Sequence, residues 1–224
     1  MDFVKEATKQ LKARAKPGRA EFEKNYHKSD LKFLGSPIPA QAKVAKGIAK
    51  QIKGCTRVEL LDLAQEMWDS GVHDLHGVAI DLLCLNSELL SKRDLPMLKR
   101  WVIESNGWAH VDSISAHLLS RLISADPTIL NTMDKWAAHK NIWVRRAAML
   151  SLLLPLRSGD LGEWDRFCRY AEPQLEEKEF FIRKAIGWVL RETSKKNPSV
   201  VRKFIQEHQD QMSGLTIREG SKYL

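Results

Sequence analysis

An all-α fold built from repeated helices is what this sequence predicts, and three observations carry the prediction. Strand signals are scarce, because no stretch alternates apolar and polar residues between hairpin turns. Segments with apolar residues at helical spacing follow one another instead, divided by Pro, Gly, Asn and Asp-Pro. A weak internal repeat runs beneath them. Asn106-Gly107-Trp108 recurs 35 residues later as Asn141-Ile142-Trp143, each opening an apolar helix, and the six residues from Ile142 align with those from Phe180 at a spacing of 38.

Repeats of about 35–45 residues, each a helix pair, mark HEAT-like solenoids, whose stacked pairs curve around a concave groove. The alternative is an irregular helical bundle. The elements follow in order: residues 2–14, then 19–28 beyond Pro17-Gly18, and a turn at 33–39 whose Pro39 suits the first position of a helix running to about 53. Residues 56–70 open with Thr56-x-x-Glu59, a capping box. Helices are predicted further at 73–90, 94–105, 108–124, 127–139, 142–156, 161–170, 179–194 and 198–207, with a short one from Ser213, the sequence ending soon after Arg218. One domain spanning 1–224 is expected.

At 224 residues, 43% hydrophobic and 29% charged, the chain can bury a real core and is not disordered in composition. No apolar run approaches the roughly 18–20 residues of a membrane span, and the N-terminus lacks the apolar segment of a signal peptide. Cys55, Cys84 and Cys168 are scattered and odd in number, which fits a reducing, intracellular (cytoplasmic) compartment. No His, Cys or acidic spacing suits a metal, and no cofactor is expected. The formal net charge of +8 is unevenly placed: residues 1–57 hold 14 basic and 5 acidic residues, so this quarter carries the whole excess. A basic block at one end points to a polyanion, with nucleic acid ahead of an anionic membrane. It is equally ordinary solubilising surface.

The stretch 179–192, EFFIRKAIGWVLRE, holds two stripes. Phe181, Ala185, Val189 and Leu190 form an apolar face, while Lys184, Trp188 and Arg191 align at i, i+4, i+7. A cation, an indole and a cation suit phosphate and base or sugar; a core tryptophan flanked by solvated cations is the plainer alternative. Trp108 and Asp112, also i, i+4, share a face near the start of a mostly apolar helix, where an unpaired carboxylate is costly to bury. Asp112 therefore faces solvent, favoured in the first turn by the helix dipole, or is held for a purpose. In the 141–148 segment, Trp143, Ala147, Leu150 and Leu154 make the core stripe and leave Arg146 beside it, a candidate two-pronged phosphate clamp or a solvated arginine.

Four stretches together resemble the HEAT-like-repeat DNA glycosylases of the AlkD type, the DNA alkylation repair family: Tyr26 through Phe33-Leu34-Gly35; Trp108-x-x-Val111-Asp112; Asn141 to Ala148; and Phe180 to Glu192 with its Lys184-Ala-Ile-Gly-Trp188 core. Their order and spacing also match, over about residues 20–220. The resemblance implies hydrolysis of the N-glycosidic bond of N3- and N7-alkylated purines in double-stranded DNA, leaving an abasic site. It places the catalytic aspartate at Asp112, its flanking tryptophans at Trp108 and Trp188, and DNA-binding roles at Arg146 and Tyr26; the cations Lys184 and Arg191 join them as phosphate contacts. Gly107 and Ala109 depart from the family pattern beside this site. No lysine is placed as a Schiff-base nucleophile, so no lyase step is expected, and a monomer is expected. Two other classes stay open: a catalytically silent HEAT-repeat protein binding bent or branched DNA, and a protein-binding scaffold.

Overall fold

In the computed structural model, residues 2–224 are described, and among them every extended element is a helix; one isolated bridge joins Lys32 and Val72. The chain divides into two compact units, the first ending at Pro96 and the second beginning at Met97.

The first unit holds α1 (Phe3–Lys12), α2 (Arg19–His27), α3 (Ile38–Gln51), α4 (Arg57–Asp69) and α5 (His73–Leu85). Asp2 caps α1 by accepting from the Lys5 N–H at 3.0 Å. Thr56 and Glu59 form the expected capping box on α4, both reciprocal bonds being present. Pro37 is the N-cap of α3, so Pro39 falls at the second helical position, one later than expected. The α5 helix ends at Leu85, short of the expected 90, because the Asn86 side chain takes the Leu82 carbonyl at 2.8 Å and a 3-10 turn, Ser87–Leu89, follows. Helix α5 packs against α3 and α4 through fully buried Leu75, Val78, Leu82 and Leu83.

A buried acid pins this unit together. The Asp74 carboxylate accepts from the N–H of Leu34 (2.8 Å), the N–H of Ser36 (2.9 Å) and the Ser36 hydroxyl (2.5 Å). Between them Gly35 has φ +78°, and a Cβ there would sit 2.8 Å from the Ala20 nitrogen, so the turn needs glycine twice over.

The boundary falls in the first turn of α6 (Leu95–Glu104), and the second unit holds the rest of that helix with α7 (Trp108–Ser113), a π-helical turn (Ile114–Leu119), α8 (Ser120–Ala125), α9 (Leu130–Ala137), α10 (Ile142–Ser151), α11 (Leu153–Ser158), α12 (Trp164–Ala171), α13 (Phe180–Ser194), α14 (Pro198–His208) and α15 (Gly214–Gly220). Two of the long predicted helices are thus interrupted. Residues 108–125 widen into a π turn, and 142–158 break at Leu152, three residues before Pro155. Helix α10 is central, packing on α9, α13 and the π turn, and its residues from Ala147 to Ser151 are all buried. Helix α15 lies directly on α13: a Cβ on Gly187 would meet the Glu219 Cβ at 2.6 Å. That close approach decides what becomes of the cationic stripe.

Candidate active site

The entry to α7 is set by backbone geometry. Asn106 takes the left-handed conformation (φ 40°) and Gly107 is extended, so the helix begins at Trp108 without a side-chain cap. One turn later Asp112 lies on the same face as Trp108. Both residues are half-buried.

Asp112 meets a partner that its local sequence does not announce. Its two carboxylate oxygens accept from the Nε (2.7 Å) and Nη2 (2.8 Å) of Arg146, a paired fork that fixes the plane of the carboxylate. The third prong, Nη1, donates to the Phe181 carbonyl at 2.5 Å, in the first turn of α13, where that carbonyl's residue also sets its ring 6.0 Å from the guanidinium. The Phe181 ring in turn lies 4.9 Å from that of Trp143. Three helices, α7, α10 and α13, therefore converge on one ion pair, and its side chains are 5% (Arg146) and 14% (Asp112) exposed.

This placement corrects the expectation for Arg146 in one respect. It does not lie beside the core stripe as an open phosphate clamp, because α10 is buried on more than one face and Arg146 is itself inside. Its guanidinium is instead engaged with Asp112. Burial pushes the Asp112 carboxyl above its ordinary value of 3.8, while the hydrogen bonds and charge of Arg146 pull it down. The neighbouring Arg145 turns the other way: it binds Glu177 at 2.8 and 2.9 Å, Gln174 at 2.9 Å and the His139 carbonyl at 2.9 Å, tying α10 to the loop before α13.

The second tryptophan, Trp188, is half-buried on α13, seven residues beyond Phe181 and so on the same face about 10 Å along the axis. Its flanking cations are not an open stripe. Lys184 Nζ donates to Glu219 Oε1 at 2.8 Å and Arg191 Nη1 to Glu219 Oε2 at 2.6 Å, so a single carboxylate on α15 bridges both. The two cations hold the Glu219 carboxyl below its usual range. Glu219 lies 28 and 35 residues from its partners, beyond the reach of any local pattern.

Tyr26 belongs to the first unit. It is 61% exposed on α2, with its ring parallel to that of Phe22 (67% exposed) at 6.0 Å and edge-on to His27 at 5.2 Å. The helix has no buried residue, and Lys24 and Lys28 are exposed on it and at its end. Sequence reasoning passed over Phe22 and also Phe180, which is 54% exposed and edge-on to Phe181 at 5.2 Å. A large aromatic on an otherwise polar helix was the available signal for Phe22.

Among the described residues no cluster of His, Cys, Asp or Glu is arranged to hold a metal ion, and no helix is long and apolar enough to cross a membrane. Burial and nearby acids push the Cys168 thiol up to about 12, which disfavours its thiolate.

The family profile described as DNA alkylation repair enzyme matches residues 7–224. Among solved structures, the chain is similar to a predicted DNA alkylation repair enzyme from Enterococcus faecalis, at 28% identity and TM-score 0.84 over 94% of this chain and 97% of that one. It also shares the fold of AlkD2 from Streptococcus mutans, at 18% identity and TM-score 0.71 over 99% and 97% of the two chains. A third structure, smu.31 from Streptococcus mutans UA159, aligns at 18% identity and TM-score 0.67 over 99% of both. No curated protein matches. The fold is that of HEAT-like helical-repeat proteins.

Proposed function

The chain belongs to the DNA alkylation repair enzyme family, and from that premise we propose that it is a monofunctional DNA glycosylase for cationic N3- or N7-alkylated purines in duplex DNA. The observation that carries this reading is Asp112: a carboxylate that is nearly buried, fixed through both oxygens by Arg146, and one turn from Trp108.

The chemistry follows from the leaving group. A purine alkylated at N3 or N7 already bears a positive charge and departs without being protonated. What the reaction demands is stabilisation of the sugar, which gains oxocarbenium character as the bond from C1′ stretches. A fixed carboxylate supplies that stabilisation and orients the attacking water, which adds its oxygen to C1′ and gives up a proton. Each Asp112 oxygen spends one lone-pair direction on Arg146 and keeps others for this work. The indole faces of Trp108 and Trp188 attract the same cation through their quadrupoles. Such a site serves a good leaving group and fails with a neutral one such as uracil.

The pairing with Arg146 has a consequence for rate. A carboxylate tied to a guanidinium is a weaker electrostatic partner than a lone one, and in exchange it is positioned before substrate arrives. Sequence-independent affinity is assigned to the exposed lysines of the first unit, with Tyr26 as an aromatic contact; Lys184 and Arg191, held by Glu219, brace α15 and retain only a secondary role toward phosphate. The protein acts as an intracellular monomer.

The test is release of free base from duplex DNA treated with a methylating agent, run beside undamaged and uracil-containing duplexes. Methylpurine release with the two controls silent supports the reading. Tight, salt-sensitive binding to the duplex without release of any base overturns it, and leaves a catalytically silent DNA-binding protein.

A further inference from the structure

Ser120 carries a hydrogen bond that joins the two helices of the Asp112–Arg146 pair, and its origin is a proline. Pro155 has no N–H, so the carbonyl of Ser151, its i−4 partner, is left without the donor a continuous helix would supply. The helix breaks there, with α10 ending at Ser151. The Ser120 hydroxyl fills the place, donating to the Ser151 carbonyl at 2.7 Å across 31 residues of sequence. Both residues are buried, at 3% and 1% exposed, so the bond has no water to compete with it.

The other end of this link is equally unusual. Ser120 closes the π turn, its own N–H reaching back five residues to the Ser115 carbonyl, and the Ser115 hydroxyl back-bonds Val111 at 2.5 Å, the residue before Asp112. A π turn inserts one residue into an α-helix and rotates everything beyond it, which is why such turns are held where they serve a site. Here the turn lies immediately after the helix segment that carries Asp112, and the Ser151 carbonyl lies in the turn after the residues that follow Arg146. The pair at one end and the serine bond at the other fix α7–α8 against α10 at two points.

We propose that Ser120 is a positioning residue: by donating to the Ser151 carbonyl that Pro155 leaves open, it sets the register between the Asp112 helix and the Arg146 helix and so the two-pronged pairing of the catalytic carboxylate. This rests on the proposed glycosylase reading for its kinetic consequence alone; the geometric claim stands on its own readout.

The experiment compares wild type, Ser120→Ala, Pro155→Ala and the double variant by three measurements: carboxyl titration of Asp112 by 13C NMR, thermal stability, and single-turnover methylpurine release. In Ser120→Ala the Asp112 titration moves to higher pH, because Arg146 no longer lines up to lower it, and turnover falls by about tenfold with KM little changed. Pro155→Ala restores an N–H to Ser151, so the double variant recovers thermal stability yet keeps the displaced Asp112 titration. If the double variant recovers both, the serine merely satisfies a carbonyl and the proposal is overturned. It is overturned equally if Asp112 in Ser120→Ala titrates as in wild type. Should wild type release no base, the titration arm still decides the matter, and only the functional reading falls.

Discussion

The two units each bury a carboxylate in a first or second helical turn, and they treat it in opposite ways. Asp74 is sealed: it is fully buried and its partners are two backbone N–H groups and a hydroxyl, all neutral. Asp112 keeps an opening to solvent, and its partner is a guanidinium that is itself buried. Neutral donors satisfy a carboxylate that only has to hold a loop. A charged, planar partner fixes orientation and leaves lone pairs on both oxygens, and at Asp112 the open side leaves them within reach of an approaching group. Burial alone does not distinguish a functional acid from a structural one, and neither does a guanidinium partner, since buried Asp94 takes a similar fork from Arg57; the open side does.

The largest effect should come from breaking the charged pair from the arginine side. Arg146→Met leaves Asp112 in its low-dielectric site uncompensated, a loss of about 3–5 kcal/mol, and methylpurine release should fall by about 100-fold or more once folded protein is matched. Chemical denaturation together with single-turnover assay checks both. A variant of full stability and full activity would mean that the pairing is incidental.

Breaking the neutral site should have the inverse profile. Asp74→Ala strands the N–H groups of Leu34 and Ser36, each costing about 1–3 kcal/mol, so stability falls while activity per folded molecule is unchanged. A selective loss of turnover in this variant would erase the contrast.

The pH response separates the two units more finely. Because the Asp112 carboxyl is raised, methylpurine release should fall on acidification at a pH above the ordinary aspartate value of 3.8, with this limb moving higher still in any variant that weakens Arg146. The first unit should respond through His73 and His76, each lowered from 6.5 to about 4 chiefly by burial. The folded state binds fewer protons than the unfolded one between those values, so stability rises with pH across that window and is lost as pH falls through it. Replacing His73, which stacks on Phe33 at 4.3 Å, by Phe should flatten the slope of unfolding free energy between pH 6.5 and 4. An unchanged slope would show that His73 is not the group responsible.

The smallest effect is expected at Glu219. Glu219→Gln releases Lys184 and Arg191 from their shared anion, with only a modest loss of stability because the cluster is still partly exposed to solvent and keeps its neutral hydrogen bonds. The slope of log affinity against log salt for duplex DNA should steepen by up to about one or two phosphate contacts. No change in slope would mean these cations do not face DNA even when freed.

How much of this was legible beforehand divides by distance along the chain. The starts of α1 and α4 are written in Asp2 and in Thr56 with Glu59, because caps act within three residues. The end of α5 was overrun, since its stop is an Asn86 side-chain bond that periodicity does not register. The break near Leu152 could have been read from Pro155, whereas the π turn has no such mark. At the site, Trp108 and Asp112 share a face as their spacing requires, but the partner of Asp112 lies 34 residues away. Arg146 was misplaced for the same reason: a single stripe defines one buried face, and α10 is enclosed on several. Glu219 was invisible as a partner, although Gly187 marks where α15 presses on α13.

The most direct test of the central claim is Asp112→Asn, measured in single turnover on methylated duplex DNA at saturating protein, with binding followed in parallel. Asparagine keeps the shape and accepts from Arg146 through one oxygen but has no charge to offer the sugar. Duplex affinity within a few-fold of wild type with base release slower by about 100-fold or more is the predicted result. Release at the wild-type rate with binding intact would contradict the account, because the chemistry would then lie elsewhere.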